Sequence, residues 1–249
     1  MRAAPAARAL PLLFLNSLLF WTGFASSTVF FALLSPALLP FGFDTRFRVM
    51  SKWTMFNVWW LRVTCGLNYR VSGREYLDCG PAVVMPKHES TWETMALQRI
   101  IPPQTWVLKR ELLRIPFFGW GMAMLHPIAI DRASGRKALL QLVRQGMDRL
   151  NSGHWVVVFP EGTRVAPGTV GQYRNGGAIL AIRSGRPIIP IAHNAGDFWP
   201  RHSFIKHPGV IEVRIGPPIA TAGRDAAEVI AEVKEWIERN CAEIRGSRI

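Results

Sequence analysis

Apolar positions fall along the chain in three regimes. No charged residue occurs between Arg8 and Asp44, and 10–43 reads LPLLFLNSLLFWTGFASSTVFFALLSPALLPFGF. A helix needs about 20 apolar residues to cross a bilayer, so the run is long enough, with Pro36 and Pro40 ending any helix near Ser35. The helix predicted here is 10–34. A cleaved signal peptide is the rival, because Arg2 and Arg8 precede the run and Ala25, Ser26 and Ser27 are small, although the run continues past a usual cleavage point. In the second regime, RFRVMSKWTMFNVWWLR, the bases Arg46, Arg48, Lys52 and Arg62 mix with Trp53, Phe56, Trp59 and Trp60 at helical spacing. That pattern suits an interfacial helix whose bases meet lipid phosphates and whose indoles lie among headgroups; a core helix with a solvated basic edge shows the same periodicity.

From Gly80 onward short β-branched runs alternate with amphipathic stretches, the rhythm of an α/β layered domain. Strands are predicted at 82–85, 105–108, 125–130, 155–159, 187–192 and 210–215, mostly continuous apolar runs as in buried parallel strands. Helices are predicted at 92–101, 135–150, 176–184 and 226–244, the last with Val229, Ile230, Val233, Trp236 and Ile237 on one face that packs into the core. The fold expected is therefore α/β, a mixed, largely parallel sheet flanked by helices, with an apolar and interfacial helical anchor at 1–65 and the catalytic-sized domain at 66–249.

Composition narrows the class. With 249 residues, 49% hydrophobic and 19% charged, the chain is neither disordered nor collagen-like. Its 30 Lys+Arg against 17 Asp+Glu give +13, which nucleic acid, an anionic membrane or a phosphorylated substrate would each match. The segment 225–249 is net negative, so the basic excess lies further forward, scattered among apolar and aromatic residues. With no zinc-finger, helix-turn-helix or RNA-recognition signature, nucleic acid is not an expected partner. Cys65, Cys79 and Cys241 are widely spaced and form neither a disulfide framework nor a zinc motif. By the positive-inside bias, Arg46, Arg48 and Lys52 place the catalytic-sized domain on the cytoplasmic side, although Arg2 and Arg8 flank the other end of the apolar run.

The first predicted strand ends in Pro86-Lys87-His88-Glu89-Ser90-Thr91-Trp92-Glu93. A side chain at a strand end before a helix projects over the edge of the sheet, where α/β folds place reactive groups. His88, with an ordinary pKa of about 6.5, suits a general base, and Glu93 an orienting partner for one ring nitrogen. Ser90 and Glu93 equally read as a capping box, and one carboxylate does not easily serve both roles. A later strand end carries Phe159-Pro160-Glu161-Gly162-Thr163-Arg164, where proline breaks the strand and glycine frees the backbone. An arginine fork there suits a phosphate monoester; a Glu161 to Arg164 salt bridge that only shapes the loop is the alternative.

The two segments together resemble the glycerolipid acyltransferase superfamily, most closely the 1-acylglycerol-3-phosphate acyltransferases, over roughly 80–218. That resemblance implies a catalytic pair at His88 and Glu93, and a phosphoglycerol site at Glu161, Gly162, Thr163 and Arg164. Lys109-Arg110-Glu111-Leu112 matches a family block whose lysine is a second phosphate ligand, and Ile130-Asp131-Arg132 one in which an arginine ends a strand near the acceptor. Tyr173-Arg174-Asn175-Gly176 and Pro187-Ile188-Ile189-Pro190 match blocks that shape the pocket. The departure is Glu93, where the family usually has aspartate.

The resemblance implies direct acyl transfer from acyl-CoA or an acyl carrier protein thioester to the 2-hydroxyl of lysophosphatidic acid, with membrane lipid as a further partner and neither cofactor nor metal. His88 is the base, Arg164, Lys109 and Arg132 hold the phosphate, and backbone amides of 159–164 are offered to the thioester oxyanion. A sibling enzyme acting on glycerol-3-phosphate or another lysophospholipid, and a non-catalytic lipid-binding relative, share these motifs. A serine hydrolase lacks its G-x-S-x-G elbow. His126 and His193 fall in strand regions as packed rather than reactive residues, and Trp106, Trp120 and Met122 line core or acyl-chain space.

Overall fold

In a computed structural model the described residues are 10–247, apart from the side chain of Arg132; Arg2 and Arg8 lie outside them. Helix α1 (Leu10–Leu34) and helix α2 (Phe43–Cys65) form an antiparallel hairpin. Pro36 falls in the 3-10 turn that closes α1, as its missing N–H requires. Helix α2 ends at Gly66, whose φ of 69° is the left-handed cap conformation. The strands beyond it are β1 (Leu67–Ser72), β2 (Val83–Pro86), β3 (Gln104–Lys109), β4 (Ile128–Ile130), β5 (Trp155–Val157), β6 (Ile188–His193) and β7 (Gly209–Ile215). Between them run α3 (Trp92–Ile100), α4 (Phe118–Ala123), α5 (Arg136–Asn151) and α6 (Gly176–Ser184), with α7 (Ala226–Gly246) last.

The strands make one seven-stranded sheet in the order β1-β7-β6-β2-β5-β3-β4. Every pairing is parallel except β6 with β7. Alternation along β2 decides the layers: Ala82 and Val84 face a core shared with Phe20 of α1, Leu61 of α2 and Trp92 of α3. Val83 and Met85 face Leu142 of α5, Leu180 of α6 and Val233 of α7. The first two helices therefore pack into the same core as the sheet.

Several boundaries are corrected. Strand β1 and helix α4 are additional to the predicted elements. The predicted strand 125–130 shrinks to β4 because Leu125 and His126 close turns onto Met122 and Ala123, with His126 at φ 47°. The predicted strand 155–159 gives only β5, since Val158 and Phe159 already lead into the loop beyond it. Arg46 does not wait on lipid phosphates: its guanidinium bonds to Phe41 O, Leu39 O and His126 Nε2, tying down the turn before α2. Trp53 and Trp60 donate to Thr28 Oγ1 and Leu19 O of α1, whereas Trp59 stays half exposed. Helix α2 is thus core on one side and open on the other.

Candidate active site

The site begins where β2 stops. Lys87 N–H still donates to Ile191 O at 2.9 Å, one residue past the strand, and 88–93 then turns into α3. Glu93 gathers that turn: its Oε1 accepts from His88 Nδ1 at 2.9 Å, Glu89 N–H at 3.1 Å and Ser90 N–H at 2.9 Å. Ser90 Oγ accepts from Trp92 N–H at 3.1 Å and donates to Trp199 O at 2.6 Å. Ring partner and helix cap are therefore one arrangement, which corrects the expectation that the carboxylate could not easily serve both. His88 precedes the helix and folds back, so ring and amides converge on a single oxygen. Burial pushes the Glu93 carboxyl up, but the bonds from His88 and the Ser90 amide outweigh it and hold the group below its ordinary pKa.

The second motif is zipped onto the same turn. His88 N–H donates to Glu161 Oε2 at 2.8 Å and His88 O accepts from Val165 N–H at 2.9 Å. Phe159 stacks on the imidazole with 3.7 Å between centroids. Gly162 takes φ 68°, and a Cβ there would stand 3.2 Å from Arg174 Nε, so this turn needs glycine for conformation and for room. The amides of Gly162 and Val165 are consumed by Phe159 O and His88 O, so neither is offered to an oxyanion, against the expectation for Gly162.

The eight expected residues separate into two groups. His88, Glu93, Glu161 and Arg164 converge, with Gly162 and Thr163 in the same loop. Glu161 is turned inward rather than toward a substrate: Oε1 accepts from Lys87 Nζ at 2.8 Å and Oε2 from His88 N–H. No Glu161 to Arg164 salt bridge forms among the described residues. Arg164 is half-buried and its Nε is enclosed without a hydrogen-bond partner among the described residues. Burial draws its guanidinium below the usual range, Glu93 opposes that, and Arg201 adds to it. Lys109 ends β3, beyond β5, with its ammonium 3.8 Å from Glu111. Arg132 opens the turn after β4, the far edge strand. Both follow strands at the carboxyl edge that carries His88. Beside the loop a groove of about 480 Å³ opens along Phe159, Pro160, Gly162 and Arg174 toward α5 and α6.

His193, expected to be packed, is fully buried with both ring nitrogens used: Nε2–H donates to Lys87 O at 2.8 Å and Nδ1 accepts from Ala195 N–H. Burial lowers its pKa, which keeps it neutral.

A family model described as Acyltransferase matches residues 68–194. A 1-acyl-sn-glycerol-3-phosphate acyltransferase of Pseudomonas aeruginosa is 46% identical over 210 residues, covering 83% of this chain and 81% of that protein. The chain belongs to the acyltransferase family. A like-named protein of Saccharomyces cerevisiae is 31% identical over 167 residues, 65% of this chain and 54% of its own. The crystal structure of the 1-acyl-sn-glycerophosphate acyltransferase of Thermotoga maritima shares the fold, with a TM-score of 0.76 at 23% identity over 93% of this chain and 95% of that one.

Two buried charge networks of the acyltransferase were not foreseen. Lys87 Nζ, fully buried, donates to Glu161 Oε1 and Glu238 Oε1 at 2.8 Å each and to Thr169 O at 2.9 Å. Burial alone lowers a lysine pKa, but these two carboxylates more than restore it and keep Lys87 charged. Tyr173 OH also donates to Glu238 Oε1, and this company raises its pKa after burial has done so. On the other side of His88, Arg245 Nη2 reaches both oxygens of buried Glu89 at 2.8 and 2.7 Å, and its Nε reaches Asp197 at 3.1 Å. Burial pushes the Glu89 carboxyl up to about 7, although Arg245 pulls the other way. Helix α7 therefore holds the residues on either side of His88. The signal in the sequence was two charges, Lys87 and Glu89, directly after a buried strand, where a charge requires a partner.

Proposed function

We propose that this acyltransferase moves a fatty acyl group from acyl-CoA or acyl carrier protein to the 2-hydroxyl of 1-acylglycerol-3-phosphate, giving phosphatidic acid in phospholipid synthesis. The observation that carries the reading is the 2.9 Å bond between His88 Nδ1 and Glu93 Oε1, in a turn to which the Arg164 loop is bonded. A carboxylate only accepts, so Nδ1 bears the proton and Nε2 is the basic nitrogen. Nε2 takes the hydroxyl proton as that oxygen attacks the thioester carbonyl carbon. The new C–O bond forms, the C–S bond breaks, and the imidazolium returns its proton to the departing thiolate. Glu93 holds the tautomer and stabilises the imidazolium while it exists.

Arg164 grips the acceptor phosphate, with Lys109 and Arg132 as further cations from the same sheet edge, so that the hydroxyl is delivered to the base. Glu161 and Gly162 act by shaping the loop. A narrow apolar crevice between α1, α2 and α4, lined by Phe31, Met50, Trp53 and Met122 among others, is the region proposed to open for an acyl chain. The apolar outer face of α1, where Leu10, Leu15, Phe30 and Leu33 are mostly exposed, suits a lipid surface. The charge bias after it favours a catalytic domain on the cytoplasmic face of that membrane.

The test is thiol release from acyl-CoA by detergent-solubilised protein, with and without lysophosphatidic acid. Release that requires the acceptor, vanishes in His88→Ala and shows a raised acceptor KM in Arg164→Ala is the expected result. Equal release without acceptor would mean a thioesterase, and unaltered lipid-dependent turnover in His88→Ala would overturn the assigned base.

A further inference from the structure

The segment 199–206 touches both the apolar hairpin and the reactive turn. At one end Trp199 O accepts from Ser90 Oγ at 2.6 Å, and the Trp199 ring packs edge-on against Phe20 and Trp21 of α1 at 5.3 and 5.7 Å. At the other end Phe204 O accepts from Trp21 Nε1 at 3.2 Å and Lys206 N–H donates to Ser17 Oγ at 3.0 Å. The Lys206 ammonium is buried among four aromatic rings, 3.7 Å from the centre of Trp21. Held at both ends, the segment carries Arg201 and His202 past the Arg164 loop. His202 adopts φ 62°, a region that non-glycine residues enter at a cost and that clusters at binding and catalytic positions.

Arg201 Nη1 donates to Arg164 O at 3.0 Å, and its Nε to His202 Nε2 at 2.8 Å. Among the described residues neither Arg164 nor Arg201 has a carboxylate within ion-pair distance. The Arg201 guanidinium is thus fixed on the Arg164 main chain, and the two cations are near enough for Arg201 to add to the lowering of the Arg164 guanidinium's pKa, although their charges repel. Arg164 Nε is itself enclosed and without a hydrogen-bond partner among the described residues. An anion that accepts from both forks resolves the repulsion and the missing bond at once. A phosphomonoester carries close to two negative charges and three terminal oxygens, enough for two arginines.

The geometry points to Arg201 as a second ligand of the acceptor's phosphate dianion, completing with Arg164 a two-arginine clamp beside His88. It rests on the reading in which Arg164 holds that phosphate. Arg201 belongs to none of the motifs by which the family is recognised, and it reaches the site from the segment clasped by α1.

Steady-state thiol release with lysophosphatidic acid in mixed micelles separates a ligand from a brace. Arg201→Gln loses the charge and is too short to reach Arg164 O, keeping at most a donor near His202 Nε2; Arg201→Lys keeps the charge and loses the fork. If Arg201 binds phosphate, Arg201→Ala and Arg201→Gln each raise the acceptor KM about tenfold with little change in kcat, and Arg201→Lys recovers part of the loss. An Arg201→Ala or Arg201→Gln enzyme whose kcat falls as far as its KM rises makes Arg201 a brace for the Arg164 loop, which also carries Val165 N–H to His88 O, and overturns the assignment, as does an unchanged KM in both. Arg164→Ala, measured in parallel, tells which idea has failed. If it raises the acceptor KM while the Arg201 variants do not, only the second ligand is wrong; if it does not, the phosphate site itself is misplaced.

Discussion

Shortening Glu93 to aspartate tests whether the reactive turn is built around that side chain's reach. One methylene fewer draws the carboxylate back by about 1.5 Å. The 2.9 Å bond to His88 Nδ1 would then open to about 4 Å, outside hydrogen-bond range, unless 88–93 moved inward. Val165 N–H and Glu161 Oε2 hold His88 by its peptide groups, and Trp199 holds Ser90, so the turn is not free to follow. Loss of a bond to a charged partner costs about 1.5–3 kcal/mol, which is roughly 10- to 150-fold in kcat. The amides of Glu89 and Ser90 lose the same acceptor inside a buried site, at about 1–3 kcal/mol each, so Tm falls by ~4 °C or more. Glu93→Gln separates the two roles. Its amide oxygen still reaches all three donors but carries no charge, so Tm stays within about 2 °C while kcat falls over the same range of roughly 10- to 150-fold. Thiol-release kinetics and calorimetry on both variants decide the matter. A Glu93→Gln enzyme with wild-type kcat would refute the charge argument, and a Glu93→Asp enzyme unchanged in both kcat and Tm would refute the argument from reach.

Lys87→Met leaves Glu161 and Glu238 facing each other without their cation. Breaking a buried cluster in this way costs about 3–5 kcal/mol, so a fall in Tm of ~6 °C or more is expected by calorimetry, with kcat reduced because Glu161 also holds His88 N–H. Burial draws the Lys206 ammonium down to about 7 from an ordinary 10.5. Between those values the unfolded chain binds more protons than the native one, so stability rises with pH across that interval; in Lys206→Met the rise is lost, and Tm measured against pH for both proteins shows whether it is.

The sheet and its flanking helices were legible because buried parallel strands are continuous apolar runs, and a run such as Trp155-Val156-Val157 has few other readings. Strand β1 escaped because Leu67, Tyr69 and Val71 alternate with polar residues directly after a helix, so nothing punctuates the change of period from 3.6 to 2. His88, Glu93 and Arg164 were visible because each belongs to a short local pattern at a strand end. Glu238 and Arg245 were not, because they lie at the border of an ordinary amphipathic stripe, seven positions apart, where charges usually meet water. Their partners are 151 and 156 residues away in sequence, and no local pattern encodes such a distance. Arg201 is hidden for a related reason: its meaning lies in a bond to the Arg164 carbonyl, across two loops that carry no periodicity.

Helix α1 shows how the exposed apolar face and the site depend on one another. Its sequence is apolar all round, so composition cannot say which side meets protein. The structure picks out Ser17, Phe20, Phe24 and Ser27, spaced by three or four, as a seam running along the domain. Ser17 Oγ accepts from Lys206 N–H, and Ser27 exchanges bonds with Asn57 of α2. Hydrocarbon cannot replace those bonds, so the seam stays on protein, and the opposite face, with Leu15, Leu19 and Phe30, is exposed and is the one that the proposed lipid surface would meet. On the proposed reading the acceptor comes from the lipid surface that this face meets, and its phosphate is held at Arg164. The segment 199–206 spans the distance between them, bonded to α1 at Ser17 and Trp21 and to the reactive turn at Ser90. Displacing α1 from the domain therefore disturbs acceptor binding before it disturbs the His88–Glu93 pair, because that pair is held from the other direction, by β2, Glu161 and α7.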